Sequence, residues 1–366
     1  MINKYWSKDK IALNKENSHW RYLPILPVNN APSRSIQVGL TPLISFPKIA
    51  SEFNIKSFYV KDDTRNPSGS LKDRATDIAI QHSTEISADT IVAASTGNAA
   101  ASLSALAAFY DKNAIIFAPD SAPIAKLTQI MQYGAKLFPI DGNYDDAFSI
   151  SREVVDKYNY YSRSTGINPI LSEGKKTVGL EISEQMNWDV PDWIFVPTGD
   201  GCIIGGVFKA FWDLLNLGWI KKLPKLVAVQ SEGSSAIVNA FESNLQIKPV
   251  SSNTIADSIS VDYPADGTKA LRAIRKTGGF GIKVSNDEIL IAQKELSSKT
   301  GIFSEPASAS AYAGFKKSVL LGKLMNDESV VVLATGTGLK DIQSAQMKIN
   351  IPKSIKPSIE NVKLDK

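Results

Sequence analysis

Lys72 closes a turn-rich run of small residues, Asp62-Asp63-Thr64-Arg65-Asn66-Pro67-Ser68-Gly69-Ser70-Leu71-Lys72, and Asp73-Arg74-Ala75-Thr76 then opens a stretch of helical character. A lysine at a helix start lies against the positive end of the helix dipole, which disfavours its ammonium form. The neutral amine is a nucleophile, although a lysine of this kind standing alone is more simply a surface residue. Three further runs keep it company. Ser95-Thr96-Gly97-Asn98-Ala99 is a turn of small residues on which another helix begins. Its backbone N–H groups and hydroxyls can hold a carboxylate, and the Asn98 amide can donate to a phenolate oxygen, while plain capping is the simpler account of the run taken alone. Gly199-Asp200-Gly201-Cys202-Ile203 is a glycine turn of the sort that lets a backbone approach a phosphate. It lacks the Gly-Lys-Ser/Thr of a nucleoside-triphosphate loop and the spacing of the dinucleotide fingerprint. Cys202 within it reads as a small packed residue, since no histidine lies nearby to activate a nucleophile. Last comes Thr335-Gly336-Thr337-Gly338-Leu339-Lys340-Asp341, where the Thr335 hydroxyl can meet a ring nitrogen or serve as polar filler of a turn.

Each of these runs follows a short apolar segment suited to a buried strand: 58–61, 90–94, 192–197 and 330–334. Two more such segments lie at 114–118 and 225–230. Between them, residues 97–110 place Leu103, Leu106 and Tyr110 on one helical face, and residues 144–158 do the same with Ala147, Ile150, Val154 and Tyr158. Ser285 followed by Glu288 is a capping-box start for a further helix. Alternation of strand and helix predicts an α/β protein with open, mostly parallel twisted sheets covered by helices on both faces. In such sheets ligands bind at the carboxyl ends of strands, where the four runs lie.

Composition narrows the classes of partner. Of the 366 residues, 41 are Lys or Arg and 37 Asp or Glu, a balance that leaves no footprint for nucleic acid. One cysteine, Cys202, and two histidines, His19 and His82, give no cysteine-based zinc site, and no metal is expected. The charged start MINKYWSKDK and the lack of an 18-residue apolar run predict a soluble, cytoplasmic protein without a membrane partner. Residues 350–366 read as a solvated tail, and Trp20-Arg21-Tyr22 as an arm packed on its own domain or on a partner subunit.

The run from Pro67 to Arg74, Ser95-Thr96-Gly97-Asn98, the Gly199 turn, Glu305-Pro306-Ala307-Ser308 and Thr335 to Asp341 occur in the order and approximate spacing of the threonine synthase family. With residues 267–279 (GTKALRAIRKTGG), the resemblance covers about residues 20–343. It implies a fold type II (tryptophan synthase β-like) pyridoxal-phosphate enzyme. Residues 1–88 and 186–366 would form a larger cofactor-binding domain, and 89–185 a smaller domain carrying the carboxylate turn. Lys72 would condense with the cofactor's aldehyde and serve as base, Asn98 would bond the cofactor's O3′, and Gly199 to Ile203 would cradle its phosphate. Thr335 would meet the pyridine nitrogen, and residues Ser95 to Ala99 would clasp the carboxylate of an amino-acid substrate. A homodimer is expected. The activity implied is conversion of O-phosphohomoserine and water to threonine and phosphate.

Two departures bear on substrate. The phosphate turn is less rich in glycine and asparagine than the family's. In a stretch of the type Asn-Pro-x-Arg-x-Glu-Gly-Gln-Lys-Thr, the chain reads Asn168-Pro169-Ile170-Leu171-Ser172-Glu173-Gly174-Lys175-Lys176-Thr177, so Leu171 replaces an arginine implicated in holding the substrate phosphate. Another cation must then meet that dianion. Lys61 is the expected one, with Arg163 and Lys175 flanking the altered stretch. The alternative is a related β-elimination or β-replacement on phosphoserine, serine or threonine, as in a dehydratase or a cysteate or diaminopropionate synthase. A cofactor-binding scaffold without turnover would need neither Lys72 nor the 95–99 turn, and a nucleotide-binding module would need acids for a metal.

Overall fold

The computed structural model describes residues 7–122 and 124–362. Among them the strands are β1 (Leu43–Ser45), β2 (Ser57–Asp62), β3 (Thr90–Ala94), β4 (Asn113–Pro119), β5 (Lys136–Ile140), β6 (Tyr161–Ser162), β7 (Trp193–Pro197), β8 (Lys225–Ser231), β9 (Phe280–Val284) and β10 (Ser329–Ala334). The helices that bear on the site are α1 (Lys72–Glu85), α2 (Asn98–Phe109), α3 (Tyr144–Tyr158), α4 (Ile170–Gln185), α5 (Cys202–Asn216), α6 (Asn286–Thr300) and α7 (Pro306–Leu320).

Two sheets result, one in the order β1-β2-β10-β7-β8-β9 and the other β5-β4-β3-β6. All pairings are parallel except that of β1 with β2. The six expected strands are the apolar, largely buried ones. Every residue of β7 and β10 is buried, as expected of parallel strands covered on both faces. Helices fill the space on either side of the larger sheet, with one core around Ile194, Val207 and Phe211 and another around Phe58, Phe195 and Phe315. The smaller sheet packs on Leu103 and Leu106 of α2 and on Ala75, Ala79 and Ile80 of α1.

α1 and α4 join the two sheets. α4 buries Val178, Leu180 and Ile182 in the larger core and Leu171 in the smaller one. It therefore does not segregate with the smaller sheet, although the sequence assigns it there. Helix α3 has the expected bounds, but Ile150 and Tyr158 are exposed; its inner side is Ala147 and Ser151, with Phe148, Val154 and Val155 against the sheet. Ile150 flanks that stripe, and Tyr158, at the last turn, stacks on Tyr160 instead. Capping boxes begin α3, at Asn143 and Asp146, and α6, at Ser285 and Glu288. The Trp20-Arg21-Tyr22 arm folds onto its own chain. Trp20 packs beside Ile78, and Arg21 and the Tyr22 hydroxyl both donate to the Glu184 carboxylate of α4. Residues 349–362 are exposed. No helix among the described residues is long and apolar enough to cross a membrane.

Candidate active site

Parallel pairing of β2 with β10, and of β10 with β7, sets three of the sequence runs side by side at one sheet edge. Asp62 pairs in register with Ala334, so the Lys72 loop and the Thr335 turn leave neighbouring strand ends. Backbone bonds then zip the two together: Leu71 N donates to Thr335 O (2.9 Å) and Thr337 N to Gly69 O (2.9 Å). Asp73 completes the loop by accepting from the Ser68 N–H (2.7 Å) and hydroxyl. Lys72 is consequently fixed as the first residue of α1, at the helix N-terminus.

Its amine has no hydrogen-bond partner among the described residues. Burial lowers its pKa; Cys202 opposes that shift, Lys175 and Arg163 add to it, and Glu305 opposes it. The Gly199 turn lies beyond β7, with Gly201 at φ +90° as the last residue before α5. Only glycine adopts that conformation without strain, and a Cβ there would lie 2.8 Å from Asp266 O. The turn is tied down by Asp266 N to Asp200 O (3.0 Å) and Ala265 N to the Asp200 carboxylate (3.2 Å). Cys202 is buried, and its Sγ accepts from Lys175 Nζ at 3.1 Å. Ile203 points into the larger core, so only its backbone is available to a ligand.

The Ser95 turn comes from the other sheet, beyond β3. Ser95 Oγ accepts from Gly97 N (3.1 Å), and the space in front of Gly97 is open. Ser95, Thr96, Gly97 and Ala99 are partly exposed, whereas Asn98 is buried. Its amide donates to both Glu305 oxygens (2.9 and 3.0 Å) and to Ser258 Oγ (3.2 Å). No side chain caps α2 or α5, so the N–H groups of these two helix starts are left for a ligand, whereas those at the start of α1 are taken by Ser70 O and Leu71 O. Thr335 Oγ1 lies 3.1 Å from Ser308 Oγ, which also accepts from the N–H groups of Thr335 and Gly336.

A cleft of about 560 Å³ opens between the sheets, lined among others by Thr96, Asn98, Ser258, Glu305 and Lys340. Glu305 is pushed up by burial, against the Asn98 bond and the Lys340 charge. Lys340 Nζ is buried without a hydrogen-bond partner, and burial lowers its pKa. Glu305, Ser308 and Lys340 stand in the motifs quoted above without having been singled out. The signal was available: a carboxylate before a helix-starting proline, and a lysine after a glycine turn.

Lys61 is a correction. It is fully buried, and its three donors are committed to Thr41 O (2.7 Å), Glu181 Oε2 (2.7 Å) and Gln185 Oε1 (2.9 Å). Arg74 and Asp63 complete that buried cluster of two cations and two anions. A lysine with every donor engaged beneath the site has nothing left for a substrate.

A family model described as "Pyridoxal-phosphate dependent enzyme" matches residues 34–336. The chain belongs to the pyridoxal-phosphate dependent enzyme family. Within that family it resembles the threonine synthase of Methanocaldococcus jannaschii, with 39% identity over 346 residues covering 92% of this chain and 85% of that one. The threonine synthase of Halalkalibacterium halodurans is 34% identical, covering 95% and 98% of the two chains. Among solved structures, an L-serine ammonia-lyase from Rhizomucor miehei superposes with TM-score 0.74 at 22% identity (84% and 97% covered). The processed threonine deaminase isoform 2 of Solanum lycopersicum gives 0.72 at 21% (84% and 86%). The architecture is that of the fold type II pyridoxal-phosphate dependent enzymes.

The site's own features fit this family's cofactor. An unbonded lysine amine with a lowered pKa, an uncapped helix start behind a glycine that admits no Cβ and a neutral hydroxyl pair lie at the carboxyl ends of the larger sheet's strands, and a buried amide donor comes to them from the smaller sheet. These match an aldehyde, a phosphate, a ring nitrogen and a phenolic oxygen.

Proposed function

We propose that the protein is a threonine synthase that converts O-phosphohomoserine and water to threonine and phosphate. What supports this reading is that the Lys72 loop, the Ser95 turn and the turn after Thr335 line one cleft, with the Gly199 turn at the neighbouring strand end, on a chain 39% identical to a threonine synthase over 92% of its length. When bound, pyridoxal phosphate supplies an aldehyde that captures amino groups and a ring that spreads negative charge from Cα.

Lys72 would hold the cofactor by that aldehyde. Its amine, whose ammonium form burial disfavours, would take the Cα proton at Nζ. The N–H groups at the start of α2, with the Ser95 and Thr96 hydroxyls, orient the substrate by its carboxylate. Asn98, whose amide is held by Glu305 and Ser258, would meet the cofactor's phenolic oxygen. Backbone N–H groups from Gly199 to Ile203 would receive its phosphate. Thr335 would offer the ring nitrogen a neutral hydroxyl, which would not keep that nitrogen protonated as a carboxylate would and suits elimination over transamination.

Incubating the purified holoenzyme with O-phosphohomoserine and assaying threonine and phosphate tests the reading. Equimolar threonine and phosphate are expected, and Lys72→Ala abolishes both. Rapid turnover of phosphoserine, serine or threonine, with no threonine from O-phosphohomoserine, would assign the protein instead to β-elimination or β-replacement.

A further inference from the structure

Among the described residues, five long cations are buried in full or nearly so: Lys61, Arg74, Arg163, Lys175 and Lys176. Three of them have carboxylates. Lys61 and Arg74 share Glu181, and Lys176 is paired with Glu173 and Asp213. Among the described residues, Arg163 and Lys175 are ion-paired to none. Arg163, only 2% exposed, spends its Nε–H on Thr76 Oγ1 (3.1 Å), and its Nη2 is buried with no partner. Lys175 Nζ has only the Cys202 sulfur, a weak acceptor, at 3.1 Å. An unpaired buried charge is costly, and an arginine cannot escape that cost by losing its proton near neutral pH.

Both side chains converge on one place. Lys175 reaches the first residue of α5, whose N-terminus carries no side-chain cap and is itself positive. Arg163 follows β6, and its N–H extends the ladder to Val92 O (2.8 Å) at the carboxyl end of the smaller sheet, close to the Ser95 turn. Thr76 fixes the plane of the guanidinium while donating to Lys72 O (3.1 Å), which sets Arg163 against the first turn of α1. The nearby carboxyls are engaged elsewhere, Asp73 by Ser68 and Asp200 by the Ala265 N–H. Two fixed cations and a helix N-terminus, with Asp73 and Asp200 within electrostatic reach but ion-paired to neither, make a site for a dianion.

We propose that Arg163 and Lys175 form a phosphate-monoester subsite at the first turn of α5, supplying from β6 and α4 the charge that Leu171 does not. Leu171 packs in the smaller core, so the guanidinium enters from a different element. Burial pulls Arg163 down to about 10, which leaves it cationic at neutral pH. The inference rests on the reading of the cleft as a pyridoxal-phosphate site that turns over O-phosphohomoserine. The phosphate it binds is either that of the cofactor or that of the substrate.

Two arms distinguish the sources, using Arg163→Gln, Lys175→Gln and the charge-keeping Arg163→Lys. In the first arm, the affinity of the protein for pyridoxal phosphate relative to pyridoxal is measured by absorbance titration. In the second, the cofactor absorbance of the loaded enzyme is titrated with O-phosphohomoserine and with homoserine. The subsite requires each glutamine variant to lose tenfold or more of the preference for the phosphorylated member in one arm, with Arg163→Lys retaining most of it. A loss in the first arm assigns the cofactor phosphate, and a loss in the second assigns the substrate's. Preferences unchanged in both arms overturn the proposal, as does an Arg163→Lys variant as impaired as Arg163→Gln. If wild-type protein makes no threonine yet these losses appear, the activity proposed above fails and the subsite stands.

Discussion

A hydroxyl that is to meet a ring nitrogen needs a hydrogen free to point there, and for Thr335 that depends on Ser308. The Ser308 Oγ accepts two backbone N–H groups and has its single hydrogen within reach of both Gly336 O (3.2 Å) and Thr335 Oγ1 (3.1 Å); only when it goes to Thr335 is the threonine's own hydrogen left for the cleft. Thr335→Val keeps shape and removes the polar group. It is expected to retain the fold and lower kcat about tenfold or more, within the order of 1–3 kcal/mol for one buried hydrogen bond, and steady-state kinetics with unchanged values would show that the hydroxyl faces elsewhere. The positions of Lys72, Asn98 and Thr335 in the fold are legible in the sequence because each sits in a local run that follows a strand. Lys61 misleads for the opposite reason. What decides its role is Glu181, 120 residues away, and no local pattern announces that partner.

At the scale of elements, the strands legible from sequence are those buried on both sides. β1 and β6 are too short to show a period, and β5, with Lys136 and Pro139 and little burial, lies at a sheet edge. β9 contains Gly281 and is likewise an edge strand. That helix α4 serves two cores is not legible from any local pattern. That double service depends on Gly174, where a Cβ would lie 2.4 Å from Arg74 O and 2.7 Å from Ala75 Cα of α1. Such contacts are to backbone and cannot rotate away. Gly174→Ala is therefore expected to destabilise the protein by about 1–3 kcal/mol, the usual range for overpacking, read as a lower calorimetric melting temperature. An unchanged melting temperature would mean that α1 and α4 do not meet there.

Across the whole molecule, the order of strands is the least legible feature, since nothing local places β10 between β2 and β7, yet that order assembles the site. The same distance effect governs stability. Burial pushes the Glu181 carboxyl up, but Arg74 and then Lys61 outweigh it and hold it down at about 2. A carboxyl so depressed stabilises the fold fully above its ordinary range near 4.5 and loses that contribution as the pH falls toward 2. Urea midpoints should accordingly fall steeply between pH 4.5 and pH 2. Lys61→Ala, which strands Glu181 with one fewer partner, is expected to cost about 3–5 kcal/mol at neutral pH while leaving the KM ratio of phosphorylated to unphosphorylated substrate unmoved. A changed ratio with unchanged urea stability would return Lys61 to the substrate.

The close approach of α4 to its neighbours also bears on how the enzyme can evolve. Its Gly174 touches the backbone of α1, while Lys175 comes so near α5 that a Cβ on Gly206 would lie 2.9 Å from the Lys175 Cβ. The three helices that carry Lys72, Lys175 and Cys202 are thus locked at a spacing set by glycines, and variation in this floor carries a folding penalty. Across the cleft, Gln129, Tyr133, Asp257 and Leu339 line the same cavity from surface segments, with Leu339 72% exposed. New substrate preferences should accordingly be acquired on that rim, by drift or by directed selection, while the floor passes unchanged from one specificity to the next.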